Sequence, residues 1–93
     1  MNASDLKSVV AALSDFDVFE FSTRVVNSKD SQVFTLMGAD RSSRLIAVVN
    51  KVSGTFSWDR HVGLQDLHAV KWFHGETTDV DEALNQIDLF ARS

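Results

Sequence analysis

The sequence predicts an α+β fold with one helix near each end of the chain and an antiparallel sheet of four or five strands between them. Apolar residues recur at helical spacing near both ends, and in the middle they alternate with polar residues or form short apolar runs. The segments between the predicted strands are short, which favours a meander in which each strand pairs with the next. A chain of 93 residues is expected to form a single small domain, residues 1–93.

The first predicted element is a helix over residues 4–14, with Ser4 as its N-cap. The segment that follows, 16–26, alternates apolar and polar residues, which predicts a strand with one face in water. After it, residues 27–31 (NSKDS) have the composition of a turn. The apolar positions of the predicted helix lie three or four residues apart: Leu6, Val9, Val10 and Leu13.

The next two predicted strands, 32–37 and 45–49, are apolar at consecutive positions, which predicts burial of both of their faces. Loop 38–43 separates them, and a second turn at 52–54 leads into a fourth strand, 55–58. A chain this short has few elements with which to cover two faces of a sheet. The pattern therefore predicts either helices on both faces or a second copy of the chain on one of them, which would be a homodimer.

The C-terminal segment predicts a helix over residues 79–91 that is capped by Thr78 and has acidic residues in its first turn. The segment before it, 64–73, satisfies both the helical and the strand period, so its apolar pattern leaves both structures open. A strand over residues 68–73 that ends before Gly75 is the favoured interpretation.

The composition indicates a folded cytoplasmic protein without a cofactor. Apolar residues make up 44% of the chain and charged residues 24%, which is typical of globular rather than disordered proteins. The chain has no cysteine, so it needs no oxidising compartment and offers no thiolate for catalysis or metal binding. Its longest apolar runs are far shorter than the ~20 residues of a membrane span. The N-terminal residues lack the pattern of a signal peptide.

The formal net charge is −4, and it is distributed unevenly along the chain. Residues 24–60 contain six basic and three acidic side chains, whereas residues 75–91 contain five acidic and no basic ones. An acidic C-terminal surface would attract a basic protein partner and repel nucleic acid. The alternative is an ordinary solvated helix whose acidic residues interact favourably with its own N-terminus.

The three histidines are six or seven residues apart, too far for the local chelate of most zinc sites, so no metal is predicted. Asp59 and His61 lie two residues apart and would share one face of a strand. This pair supports an alternative function, a ligand-binding or enzymatic pocket between sheet and helix in which Asp59 polarises a histidine. The lining of that pocket would be Trp58, His61, His68 and Trp72.

No sequence motif predicts catalysis, because the chain lacks a glycine-flanked nucleophile and a glycine-rich phosphate loop. Nucleic acid is not expected as a partner either, since the net negative charge opposes the counterion release on which such binding depends. The basic residues considered for a nucleic-acid patch, with Trp58 stacking on a base, are Arg41, Arg44, Lys51 and Arg60.

The motif QIDLF near the C-terminus resembles the pentapeptide Gln-Leu-(Ser or Asp)-Leu-Phe with which bacterial replication and repair proteins dock onto the DNA sliding clamp. The resemblance implies that Gln86 enters a small polar subsite and that Leu89 and Phe90 fill an apolar pocket. Asp88 matches the pattern, and Ile87 replaces the usual leucine. The competing interpretation is a helix face, because these residues continue an amphipathic helical pattern whereas the clamp peptide binds in an extended conformation.

The favoured function is non-catalytic binding of another protein, in the manner of the small acidic inhibitors and adaptors that phages and mobile elements encode. Large aromatic side chains and arginine anchor many protein interfaces. For Trp58 and Trp72 the alternative is a place in the hydrophobic core. The candidate interface residues are Trp58, Arg60, Trp72 and Phe73.

Overall fold

The computed structural model describes residues 1–15, 22–38, 41–64, 68 and 71–92, which form two helices and a five-stranded antiparallel sheet. The elements in chain order are α1 (Ala3–Ser14), β1 (Ser22–Asn27), β2 (Ser31–Met37), β3 (Ser43–Asn50), β4 (Thr55–Val62), β5 (Lys71–Thr77) and α2 (Val80–Ala91). The strands lie side by side in this same order, so the predicted α+β fold with a meander sheet is confirmed.

Each helix begins with a capping side chain that differs from the predicted one. Asn2 caps α1 by accepting a hydrogen bond of 2.8 Å from a backbone N–H of the first turn, and Ser4 lies inside the helix. Asp79 caps α2 by accepting a hydrogen bond of 2.9 Å from the N–H of Asp81, whereas Thr78 precedes the cap. Both caps have extended backbone and a short oxygen-bearing side chain, as N-capping requires.

The strands extend beyond several of the predicted boundaries. Pairing between β3 and β4 continues to Ser43 and Val62, so β4 runs four residues past the predicted end at residue 58. The strand predicted at 68–73 is confirmed over Lys71–Phe73. The first part of the strand predicted at 16–26 lies outside the described residues, as do residues 65–67, 69 and 70.

Gly75 lies within β5, although the sequence suggested that a strand would end before it. Its cross-strand partner is Trp58 on β4. A Cβ atom at position 75 would lie 2.3 Å from Cζ2 of the Trp58 indole. Gly75 therefore makes room for a buried aromatic ring instead of breaking the strand.

The hydrophobic core lies on one face of the sheet. Alternate residues of β2, β3 and β4 point to this face and pack against α1 and α2, so both described helices cover the same side. The sheet contributes Phe34, Leu36, Leu45, Ala47, Val49, Phe56 and Trp58, and the helices contribute Val9, Leu13, Ala83, Ile87 and Phe90.

The opposite side of the sheet is here named the open face, because no helix among the described residues packs on it. The sequence predicted either helices on both faces of the sheet or a second copy of the chain on one face. The described part of the chain does not have helices on both faces. The homodimer stays a prediction. No described helix is long and apolar enough to span a membrane. The central side chains of the open face are Val33, Thr35, Met37, Arg44, Ile46, Val48, Asp59, His61, Trp72 and His74.

Candidate functional site

A cluster of aromatic and imidazole rings occupies the β4–β5 side of the open face. Trp72 is 65% exposed, yet its indole is held in place, because Nε1 donates a hydrogen bond of 3.1 Å to Oδ1 of Asp59. Nδ1 of His74 donates to the same oxygen at 2.8 Å. The His61 ring stacks on the indole, with ring centroids 6.0 Å apart and planes 6° apart. These contacts present a large exposed ring in one orientation.

The surroundings of His61 favour the neutral form of its ring. Burial lowers the pKa of His61 from 6.5, the nearby Arg44 guanidinium lowers it further, and Asp59 acts in the opposite direction. The Nδ1 atom of His61 is buried and has no hydrogen-bond partner. His61 therefore presents a neutral ring with unused hydrogen-bonding capacity at the centre of the cluster.

Arg44 lies on β3 directly opposite His61. Its side chain is half-buried, its Nε atom is buried without a hydrogen-bond partner, and it forms no ion pair with any described residue. The acidic side chain nearest in register, Asp59, pairs with Ile46 across the strands and is already bound to Trp72 and to a histidine. Arg44 is thus a positive charge whose hydrogen-bonding capacity is not satisfied within the described chain.

The β2–β3 side of the open face is mainly apolar. Val33 pairs with Val48, and Ile46 lies beside Thr35 in the next row. These side chains are half-buried, so a partner would complete their burial. The open face therefore combines an aliphatic surface, an oriented indole and a guanidinium that forms no ion pair with a described residue.

The sequence-predicted interface residues do not form one surface. Trp58 is only 8% exposed and belongs to the core, which is one of the two roles left open for it. Arg60 and Phe73 lie opposite each other on the helix-bearing side, where the guanidinium sits 4.4 Å from the centroid of the Phe73 ring. Among these four candidates, Trp72 alone lies on the open face.

The alternative pocket around Trp58, His61, His68 and Trp72 is not formed. Residues that are one or three apart on a strand point to opposite faces, so the sheet itself separates Trp58 from His61. Asp59 is hydrogen-bonded to His74 and not to His61, and His68 is exposed. In the described part of the chain no three potential ligands lie close enough to hold a metal ion.

The basic residues considered for a nucleic-acid patch are also dispersed. Arg44 lies on the open face, and Arg60, which pairs with Leu45, lies on the helix-bearing face. Lys51 is in the turn between β3 and β4, and Arg41 is an exposed loop residue with a φ of 60°. These four side chains do not form one stripe along which a nucleic-acid backbone could run.

A groove of about 450 Å³ lies elsewhere, between α1 and the nearby ends of β2 and β3. Leu6, Val10 and Val49 give it an apolar lining, and Lys7 and Lys51 place two positive charges beside it. Its residues differ from those predicted for a pocket. The groove and the open face are on opposite sides of the sheet.

The QIDLF motif is helical, because its residues belong to the second half of α2. Ile87 and Phe90 are buried in the core, Leu89 is 40% exposed, and Gln86 donates a hydrogen bond of 3.0 Å to Glu82. Docking as an extended peptide would require the last turns of α2 to unwind. Removing the Phe90 side chain from the core would cost about 3–5 kcal/mol, which disfavours this mode of binding.

The fold and this surface define a small α+β protein with a five-stranded meander, whose described helices lie on one side of the sheet and leave the other side without a helix among the described residues. No family model, curated protein or solved structure matches the chain. The sequence alone did not indicate that Arg44, Ile46 and His74 lie on the same surface as Trp72. The available signal was the two-residue spacing from Arg44 to Ile46 and to Val48, which places all three on one face of a strand.

Proposed function

We propose that this protein acts without catalysis by binding another protein through the open face of its sheet. The observation that carries the proposal is Trp72, an indole that is 65% exposed yet fixed by a hydrogen bond to Asp59 and by stacking on His61. A side chain that is already oriented loses little conformational freedom on binding, which favours affinity. Tryptophan is also among the residues most enriched at the energetic centres of interfaces.

The surroundings of Trp72 support the same proposal. The aliphatic side chains of Val33, Ile46 and Val48 lie on the same face and supply apolar area that a partner would remove from water. Binding in this way, with no chemistry performed, is the mode of action of inhibitors and adaptors. The acidic residues in the first turn of α2 also provide a negatively charged surface, which would suit a basic region of the partner.

The test compares the protein with Trp72→Ser and with a control, Val52→Ser, in which an exposed apolar residue of the β3–β4 turn is changed instead. Proteins captured from a cell lysate by each form are identified by mass spectrometry, and binding of the purified partner is then measured by calorimetry. Trp72→Ser should weaken binding by about 2 kcal/mol or more, and Val52→Ser should leave it unchanged. Equal binding by Trp72→Ser and the unchanged protein would contradict the proposal.

A second copy of the chain is one protein that could cover the open face. Light scattering over a concentration series distinguishes this homodimer from binding to a different protein. A dimer formed through the open face should dissociate in Trp72→Ser and persist in Val52→Ser. A concentration-independent monomer removes self-association and leaves the different partner.

The groove beside α1 favours a second candidate function, binding of a small apolar molecule with an anionic group. Its apolar lining and its two lysines, Lys7 and Lys51, match such a ligand. A fatty acid should raise the melting temperature, and the fatty alcohol of equal chain length should do so less, because only the acid pairs with the lysines. No shift with either compound would remove this candidate.

A further inference from the structure

We propose that Arg44 and His61 bind a carboxylate side chain of the partner protein, from an acidic residue with apolar neighbours. This inference rests on the proposed function of the open face, because it names the chemistry that this face recognises. The geometry that supports it is the cross-strand pair of Arg44 and His61, which lies between the aliphatic surface and Trp72.

Arg44 and His61 each contain a hydrogen-bonding atom that is left unsatisfied by the described residues. Nε of Arg44 and Nδ1 of His61 are buried atoms without hydrogen-bond partners. The carboxylate of the same face, Asp59, accepts hydrogen bonds from Trp72 and His74 and not from Arg44. A guanidinium whose Nε has no acceptor among the described residues gains most from a carboxylate, which it can bind through two parallel N–H groups.

The charges around Arg44 favour a single carboxylate over a polyanion. Asp59 and Glu76 lie on the same face as Arg44, and the whole chain carries a net charge of −4. A polyanion such as nucleic acid would be repelled by these charges. The side chains next to Arg44, Met37 across β2 and Ile46 two residues along β3, are apolar. One carboxylate between apolar groups therefore fits this surface better than a series of phosphates.

The free protein gains no stabilisation from an ion pair between Arg44 and a described residue. An unsatisfied buried donor destabilises a fold, and an apolar side chain of similar shape avoids that penalty. Methionine keeps much of the aliphatic stem of arginine without its charge. Arg44→Met should therefore unfold at a urea concentration equal to or above that of the unchanged protein, whereas a structural role for Arg44 would lower it.

The binding test uses two tripeptide probes that differ in a single charge, N-acetyl-Leu-Glu-Leu-amide and N-acetyl-Leu-Gln-Leu-amide. Each is titrated into the 15N-labelled protein while the Nε–H signal of Arg44 and the amide signals of β3 and β4 are followed by NMR. The glutamate peptide should bind about tenfold more tightly than the glutamine peptide, as expected for hydrogen bonds to a charged group. Arg44→Met should bind both peptides equally, and a control, Arg92→Met, should keep the difference, because Arg92 pairs with Asp88 at the end of α2.

Three outcomes would overturn the inference. In the first, the two peptides bind the unchanged protein equally. In the second, inorganic phosphate shifts the NMR signal of Arg44 at a lower concentration than the glutamate peptide does. In the third, Arg44→Met unfolds at a lower urea concentration than the unchanged protein. The failure of this inference is separable from failure of the proposed function. If Trp72→Ser abolishes capture of a partner while the peptides show no preference, the open face still binds protein but does not select a carboxylate.

Discussion

The substitution Gly75→Ala tests the packing of β5 against the Trp58 indole of the neighbouring strand β4. Gly75 has no side chain, and the indole of its cross-strand partner Trp58 covers it. An added Cβ would lie 2.3 Å from Cζ2, 2.6 Å from Cη2 and 2.9 Å from Cε2 of that indole. Because Trp58 is only 8% exposed and packs beside Phe56, with ring centroids 5.8 Å apart, it cannot move aside without disturbing the core.

Two opposing effects set the size of the change. Alanine in the middle of a strand is favoured over glycine by about 0.5–1 kcal/mol, because glycine loses more backbone freedom on folding. Crowding of a well-packed core costs about 1–3 kcal/mol. The second effect is larger, so Gly75→Ala should lower the free energy of unfolding by about 1–2 kcal/mol. Glu76→Ala is the matched control, because it changes an exposed neighbour on the same strand and should stay within about 0.5 kcal/mol.

The assay is urea unfolding followed by far-ultraviolet circular dichroism, which does not depend on tryptophan. The same substitution is then made in a Trp58→Phe background, where the atoms nearest to the added methyl group are absent. In that background Gly75→Ala should be neutral or stabilising, giving a coupling free energy of about 1–3 kcal/mol between the two positions. A stabilising effect of Gly75→Ala in the unchanged protein, or equal effects in both backgrounds, would refute the packing argument.

Three further predictions concern a helix cap, a histidine and the exposed tryptophan. Because the Asp79 carboxylate caps α2, Asp79→Ala should lower the free energy of unfolding in urea by about 1 kcal/mol. Thr78→Ala should lower it much less, and an equal decrease for the two variants would contradict the assignment of Asp79 as the cap. His61 should titrate below pH 6.5 by NMR, and Arg44→Gln should raise its pKa, since burial and the guanidinium both favour the neutral ring. The contribution of neutral His61 to the free energy of unfolding should therefore be fully present above about pH 6.5, and it should be lost as the pH falls toward the pKa of His61 in the folded protein. A measured pKa of 6.5 or above in the folded protein would contradict this prediction. In a variant whose only tryptophan is Trp72, emission should be red-shifted and quenched by iodide, whereas blue-shifted, protected emission would contradict the exposure of that indole.

The helices and the central strands were predictable from the sequence because their apolar periods are strong. The strands predicted at 32–37 and 45–49 correspond to β2 and β3, which begin one or two residues earlier, and β3 also ends one residue later. The end of β4 was harder to predict, because the polar residues Asp59 and Arg60 interrupt the apolar pattern although they remain in the ladder. Backbone pairing continued there without an apolar signal in the sequence.

The candidate site was only partly predictable, because faces of a sheet depend on register. Trp58 and Trp72 are the same residue type on neighbouring strands, yet one fills the core and the other is 65% exposed. Trp58 pairs with Gly75 on the helix-bearing face, whereas Trp72 pairs with His61 on the open face. A shift of one residue in β4 would turn Trp58 to the open face, and a shift of one residue in β5 would turn Trp72 to the helix-bearing face. Sequence spacing alone did not fix that register.

The polar groups of the open face distinguish it from an incomplete hydrophobic core. When a partner covers this face, Asp59 is removed from water with two hydrogen bonds already made within the chain, so its burial needs little from the partner. Arg44 has no such compensation, and a wholly apolar partner would leave its charge buried and unpaired. In the proposed binding mode, the arrangement that would accept a carboxylate would also disfavour partners without one, and specificity would follow from the difference between the Asp59 and Arg44 side chains.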